Sequence, residues 1–259
     1  MRIDERLGFI LGYPLGIVTG TVSFFRNARM FHPCGELVRA QVKELNPSFL
    51  KLHPHVMMRF SSAIWKHKEW PDVLGITLRF GRNESFNEKV SEDDQDLLFA
   101  SFKRPWQTPI GPLLTRYKNF FENDYYAISP FEVRGREIYL KISPVKTFHV
   151  KRKRETILKE NVEKQAVLRM WFKEKNKPWK PLADLALAKS FKLDQKTLFF
   201  NPFNCGLKIY PRGFIHYLRK GAYRLSQDGR SFRHHLNNKF VTSFNAVSNK
   251  NEDAESIRH

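Results

Sequence analysis

A tyrosine and two arginines stand at helical spacing in the stretch Leu198–Arg230. Arg219, Tyr223 and Gln227 are four residues apart, so an α-helix would place them on one stripe. A fixed guanidinium charge one turn from a phenol favours the phenolate and lowers the phenol's pKa from about 10. Phenolate is a hard ligand that suits ferric iron. The plainer alternative is an ordinary amphipathic helix with Arg219 and Tyr223 at the edge of the core.

The same stretch carries a separate apolar stripe, which consists of Phe214, Leu218, Ala222 and Leu225. One face of the predicted helix can therefore pack while the other binds a ligand. Pro211 is typical of a helix start and Gly229 of a helix end, which leaves Arg230 just beyond the last turn.

The order of these residues resembles the proximal segment of the monofunctional haem catalases. F-N-P-F-N at Phe200–Asn204 is followed by an arginine, tyrosine, glutamine and arginine in the family's spacing. The resemblance implies that Tyr223 ligates the ferric iron of a b-type haem and that Arg219 keeps it ionised. It also implies that Gln227 stabilises the helix stripe or touches the haem edge, and that Arg230 binds a propionate.

Two segments in the amino-terminal half are similar to the distal side of the same family. Arg29 precedes His32 by three residues, and Gly35 follows three residues later. Arg59-Phe60-Ser61 matches the family's R-F-S motif. The resemblance implies that His32 is the distal acid–base group, that Ser61 orients it, and that Arg29 and Arg59 bind propionates. Arginine suits that task because its planar fork binds carboxylates bidentately.

One departure from the family bears on activity. The family's distal asparagine follows a D-L pair, but the corresponding stretch Asp96–Phe102 contains no asparagine. The resemblance therefore implies an oxidoreductase that acts on hydrogen peroxide or organic hydroperoxides, with peroxidase-type turnover favoured over efficient catalase. The alternatives are a haem-binding protein that stores or senses haem, and a basic membrane-associated protein with a decayed site.

Short strands separated by turn signals dominate the middle of the chain. Apolar and polar residues alternate in two early stretches around Val38–Val42 and Val56–Phe60. Further predicted strands are Val73–Phe80, Asp96–Phe102, Glu137–Ile142, Val167–Lys173 and Leu182–Phe191. Pro105–Tyr126 and Lys151–Gln165 read as loop-and-helix connections. We expect an α+β protein: an antiparallel β-barrel of the catalase type, with flanking helices and a carboxy-terminal haem-ligating helix.

The amino-acid composition indicates which kinds of partner and which cellular location to expect. The 259 residues are 41% hydrophobic, with 45 basic and 26 acidic residues that give a net charge of +19. The charge is dispersed and no nucleic-acid motif accompanies it, so no specific nucleic-acid partner is expected. The two cysteines make no disulfide framework, which favours a reducing, cytoplasmic location.

An uncharged run, Leu7–Phe25, makes the amino-terminal end ambiguous. Its length could span a bilayer, and glycines recur in it every four residues, so it is either membrane-associated or an arm packed on the barrel or on a second subunit. No cleavable signal peptide is evident. We divide the chain into an apolar arm (1–28), a haem-binding domain (29–242) and a polar tail (243–259).

Overall fold

The computed structural model describes residues 2–7, 9–11, 35–65, 69–148, 152–195 and 197–218. Its strands are β1 (Gly35–Glu44), β2 (His55–Ser62), β3 (Leu74–Gly81), β4 (Gln95–Ala100), β5 (Tyr125–Tyr126), β6 (Phe131–Val133), β7 (Arg136–Lys146), β8 (Val167–Glu174), β9 (Lys180–Phe191) and β10 (Tyr210–Pro211). The helices are the 3-10 helices Pro105–Ile110 and Phe120–Glu122 and the α-helices Gly111–Leu114 and Arg154–Glu163. Residues 3–7, 9–11 and 214–218 are also helical.

Eight of the strands close into an antiparallel barrel. Its order is β1-β2-β3-β4-β5-β7-β8-β9, and β9 pairs with β1 to complete the ring. The short strands β6 and β10 extend the sheet beside β7. The predicted antiparallel β-barrel is therefore confirmed, while its catalase type and its haem-ligating helix stay predictions. Full closure leaves the eight strands without a free edge.

The barrel interior holds the main hydrophobic core. Val56, Met58 and Phe60 of β2 point inward, while Met57 and Arg59 point outward. The Phe60 ring packs edge-on against Phe120 with ring centroids 5.4 Å apart. The period of two read from the sequence is therefore the inside–outside alternation of a barrel strand.

The boundaries differ in detail from those predicted. The strand predicted at Glu137–Ile142 continues to Lys146, because its partner β8 pairs with it along its whole length. The predicted helical connection after β7 is the helix Arg154–Glu163. The placement of Pro211 at a helix start is wrong, because Pro211 pairs with Phe131 of β6 and the helical residues begin at 214.

Within the described residues, no helix is both long and apolar enough to cross a membrane. Most of the apolar run Leu7–Phe25 and all of the tail 243–259 lie outside them. The membrane alternative for that run, the domain boundaries near its ends and the carboxy-terminal part of the predicted helix therefore stay predictions.

Candidate functional site

The outer face of β1–β4 carries three rows of cross-strand neighbours. Residues directly opposite each other in antiparallel strands project from the same face. The first row is Gly35, Ser61, Gly75 and Ala100, the second is Leu37, Arg59, Thr77 and Leu98, and the third is Arg39, Met57, Arg79 and Asp96. The first row lies toward the barrel end where β2 ends and β3 begins, which we call the Ser62 end.

Small side chains make up the whole of the first row. Ser61 is buried, and its hydroxyl donates to the Gly75 carbonyl at 3.5 Å. A methyl group added at Gly35 would lie 2.6 Å from the Phe60 carbonyl oxygen and 3.0 Å from the Arg59 side chain. The row therefore carries little side-chain bulk of its own, and at Gly35 an added side chain would clash.

Arg59 lies one row further in and is almost fully buried. Its Nε and Nη2 atoms donate to Gln195 Oε1 at 3.3 and 3.2 Å. The Gly35 amide donates to the same oxygen at 3.0 Å, and Gln195 Nε2 donates to the Gly35 carbonyl. One glutamine thus ties the start of β1 to the arginine of the R-F-S motif.

Gln195 belongs to a covering segment, residues 192–195 and 197–204, that crosses the second and third rows. Leu193, Leu198 and Phe200 of this segment pack on outward side chains of the barrel strands. This cover explains why β2 is buried on both faces although it forms part of a barrel wall.

A buried ion pair holds the other end of the covering segment. Arg79 donates to both carboxylate oxygens of Asp96 at 2.8 and 2.9 Å, and the same guanidinium donates to the Phe199 carbonyl. The Asn201 amide and the Asn204 side chain donate to Asp96 at 2.9 and 2.7 Å. Burial raises the pKa of the Asp96 carboxyl, and these donors oppose that shift.

The F-N-P-F-N motif therefore has a structural role of its own. Asn201 accepts a hydrogen bond from the Phe203 amide at 3.1 Å, which closes a local turn around Pro202. Because Asn201 and Asn204 are bonded to Asp96, the motif is held against β4. The chain then continues into β10, which pairs with β6.

The residues after β10 anchor the start of the helix that was predicted to carry the proximal ligand. Arg212 bridges Glu132 at 2.9 Å and Glu5 at 3.6 Å. His216 is buried with its ring 4.7 Å from that of Phe131. Phe214 and Leu218, predicted to form the packing stripe, are only half-buried, so His216 supplies the packing in this first turn.

Of the predicted site residues, Arg59 and Ser61 are described; they share one face of β2, as the alternation predicted, and the structure shows that this is the outer face. Arg29, His32, Arg219, Tyr223, Gln227 and Arg230 lie outside the described residues. Their roles as haem ligand, propionate partners and acid–base group stay predictions.

In the part of the chain that the structure describes, no group of three or more His, Cys, Asp or Glu side chains is arranged to hold a metal ion. His53 bonds to the Asp93 carbonyl at 3.1 Å, and His55 lies 3.8 Å from Glu84.

The sequence analysis did not identify three residues that belong to this site. Arg79 and Asp96 each interrupt an apolar strand, LGITLRFG and QDLLFA, and opposite charges in two buried neighbouring strands are a signal for a buried pair. Gln195 carried no such signal, because it lies in a polar stretch and meets Arg59 only through the fold.

Fold and site together define a closed antiparallel barrel whose outer wall, over β1–β4, bears a row of small residues beside a buried arginine. Compared with known proteins, the chain matches no protein-family model and no curated protein. The R-F-S and F-N-P-F-N motifs, which carry part of the catalase resemblance, both lie on this wall.

Proposed function

We propose that this chain is a haem-dependent oxidoreductase of the catalase-related class that acts on hydrogen peroxide or organic hydroperoxides. One observation carries the proposal: Gly35, which ends the R-x-x-H-x-x-G motif, is the direct cross-strand partner of Ser61, which ends R-F-S. Gly35 and Ser61, which are 26 residues apart in the chain, thus lie side by side on one face, an arrangement that fits a shared distal site.

The described residues fit a flat, anionic group such as haem. The row Gly35, Ser61, Gly75 and Ala100 carries only small side chains, as a planar ring stacked against it would need, and all but Gly35 are buried in this structure. Arg59 stands in the neighbouring row with its charge held in place by Gln195. A guanidinium already fixed in position binds a carboxylate with less loss of side-chain entropy.

Each residue has a separate task in this proposal. Arg29, Arg59 and Arg230 hold the propionates, and Tyr223 with Arg219 provides the ligand to iron. His32 takes the proton from one peroxide oxygen and returns it to the departing oxygen, which is general acid–base work suited to imidazole near neutral pH. Ser61 orients that imidazole. Haem, when bound, supplies the oxidising chemistry.

The wall also favours peroxidase-type action over efficient catalase. Ala100 occupies the β4 position of the small-residue row and carries no polar group. The neighbouring Ser101 hydroxyl lies 2.7 Å from Thr115 Oγ1 and accepts from the Leu74 amide at 3.0 Å, so it is already engaged. A second polar group to position hydrogen peroxide is therefore lacking in the stretch Ala100–Ser101.

The test is to purify the protein with haem and to follow oxygen release and dye oxidation after adding hydrogen peroxide or an organic hydroperoxide. We expect slow oxygen release, measurable peroxidase turnover and loss of both in His32→Ala, by about a hundredfold or more. A haem-loaded protein without turnover would leave storage or sensing as its function. Failure to bind haem would leave only the basic membrane-associated alternative.

A further inference from the structure

A second surface at the Ser62 end of the barrel exposes large apolar side chains. The two short helices between β4 and β5 cover residues 105–114, and of these only Gly111 is buried. Trp106 is 63% exposed, Leu113 81% and Leu114 51%. In the neighbouring loop between β2 and β3, Trp70 is 51% exposed. We call these four side chains the apolar tip.

Packing and hydrogen bonds fix the backbone that carries the apolar tip. Gly111 packs so closely that an added methyl group would lie 2.7 Å from Val73, which joins the two loops. Thr115 bonds to Ser101 at 2.7 Å and to the Gly111 carbonyl at 2.8 Å. Gln107 accepts from two successive amides at 3.0 and 2.8 Å. The backbone is thus held in place while the apolar side chains face outward.

Basic residues flank the two helices of the apolar tip with no acidic residue between them in the sequence, while Glu69, beside Trp70, is half-buried and accepts from the Arg154 amide. Lys103 and Arg104 precede the two helices, Arg116 and Lys118 follow them, and all four are exposed. From Asp96 to Glu122 the sequence contains no other acidic residue. The ion pair between Arg116 and Glu122 is long, with 3.9 Å between the guanidinium nitrogen and the carboxylate oxygen. The surface is therefore apolar at its centre and positively charged at its rim.

We propose that the apolar tip and its basic rim dock this protein on an anionic lipid bilayer. Tryptophan and leucine side chains enter the boundary between headgroups and acyl chains, and lysine and arginine at the rim meet anionic headgroups. An exposed apolar surface of this kind on a firm backbone is typical of an interaction site. The inference rests on these residues alone and does not depend on the proposed haem chemistry.

Docking would also orient the barrel. Gly35, Ser61 and Ala100 lie toward the same Ser62 end as the apolar tip. Bilayer contact would turn that end of the barrel toward the lipid.

The test is flotation of the full chain with vesicles of phosphatidylcholine, alone or mixed with phosphatidylserine. We expect binding to the mixed vesicles, and about tenfold or greater weakening in Leu113→Ser/Leu114→Ser because two leucines lose their burial in lipid. Lys103→Gln/Arg104→Gln should lose most of the preference for phosphatidylserine. Val90→Ser, an exposed apolar residue in the loop between β3 and β4 at the opposite barrel end, should bind like the parent.

Two results would overturn the proposal. The first is undiminished flotation of Leu113→Ser/Leu114→Ser: if high salt abolishes it, binding belongs to overall charge, and if it persists at high salt, binding belongs to another apolar segment such as the run Leu7–Phe25. The second is a parent protein that is dimeric in solution and becomes monomeric in that double variant, which would make the apolar tip a contact between copies of this chain. Circular dichroism of each variant checks that the barrel is intact.

Discussion

Gln195 accepts two hydrogen bonds from Arg59 and one from the Gly35 amide on a single oxygen, Oε1. The glutamine comes from the covering segment, 136 residues beyond Arg59 in the chain, so it joins parts of the molecule that are distant in sequence. It also accepts hydrogen bonds from two nitrogen atoms of a guanidinium that has almost no contact with solvent.

Replacing Gln195 by alanine should lower the free energy of unfolding by about 1–3 kcal/mol, because buried N–H groups lose their acceptor. Urea denaturation followed by circular dichroism measures this loss. Gln41→Ala, on the exposed part of β1, is the matched control and should change stability little. An unfolding midpoint for Gln195→Ala equal to that of the control would contradict the structural role given to Gln195.

We expect a larger loss of stability when the buried Arg79–Asp96 pair is broken. Asp96→Asn should cost roughly 3–5 kcal/mol, because it leaves the Arg79 charge buried without its counter-ion. It should also loosen the F-N-P-F-N motif, which limited proteolysis near Asn201 would detect. Asp93→Asn breaks the exposed pair with Arg82 and should cost less than about 1 kcal/mol. Equal losses in the two variants would refute the buried pair's importance.

The stability of the protein at alkaline pH should depend on the ionisation of the half-buried Tyr126. Burial, with the Asp124 charge and the hydrogen bond to it, raises the pKa of Tyr126 from 10.0 to about 12. Since the folded protein holds this proton more tightly than the unfolded chain, the stabilising contribution is complete below pH 10 and is lost as pH rises through about 12. Tyr126→Phe should make stability fall less steeply in that window.

The measurement is urea denaturation at several alkaline pH values, beside a tyrosinate absorbance titration of the folded protein. Tyr210→Phe, which changes an exposed tyrosine, controls for the loss of a hydroxyl. Superimposable stability curves for Tyr126→Phe and the parent protein would show that Tyr126 ionises equally in both states.

Local patterns predicted the barrel well because each strand's alternation is read within eight or so residues. Arg59 and Ser61 were correctly expected on one face, since they flank the inward Phe60. The covering segment could not be predicted, because it carries no period and its contacts with Arg59 and Asp96 span more than 100 residues. His216 was missed since polar side chains in helix starts are usually exposed, whereas this one packs on Phe131.

The small-residue row predicts how haem retention responds to added bulk. Ser61→Leu should reduce haem content at least several-fold, because a large side chain would stand in the row of small residues, while Ser61→Ala should keep haem and slow peroxidase turnover. Ser190→Leu, at an exposed position of β9, is the control for added leucine. Absorbance per protein in the Soret region measures retention. Full haem retention in Ser61→Leu would mean that the proposed haem does not lie against β2.

The central claim is that Tyr223 binds the iron of a ferric haem, and one spectrum tests it most directly. The parent protein and Tyr223→Phe are reconstituted with haem side by side, with Tyr210→Phe as the matched tyrosine control. We predict a Soret band and a tyrosinate-to-iron charge-transfer signature in the parent and the control, and loss or strong weakening of both in Tyr223→Phe. An unchanged high-spin ferric spectrum in Tyr223→Phe would contradict the claim.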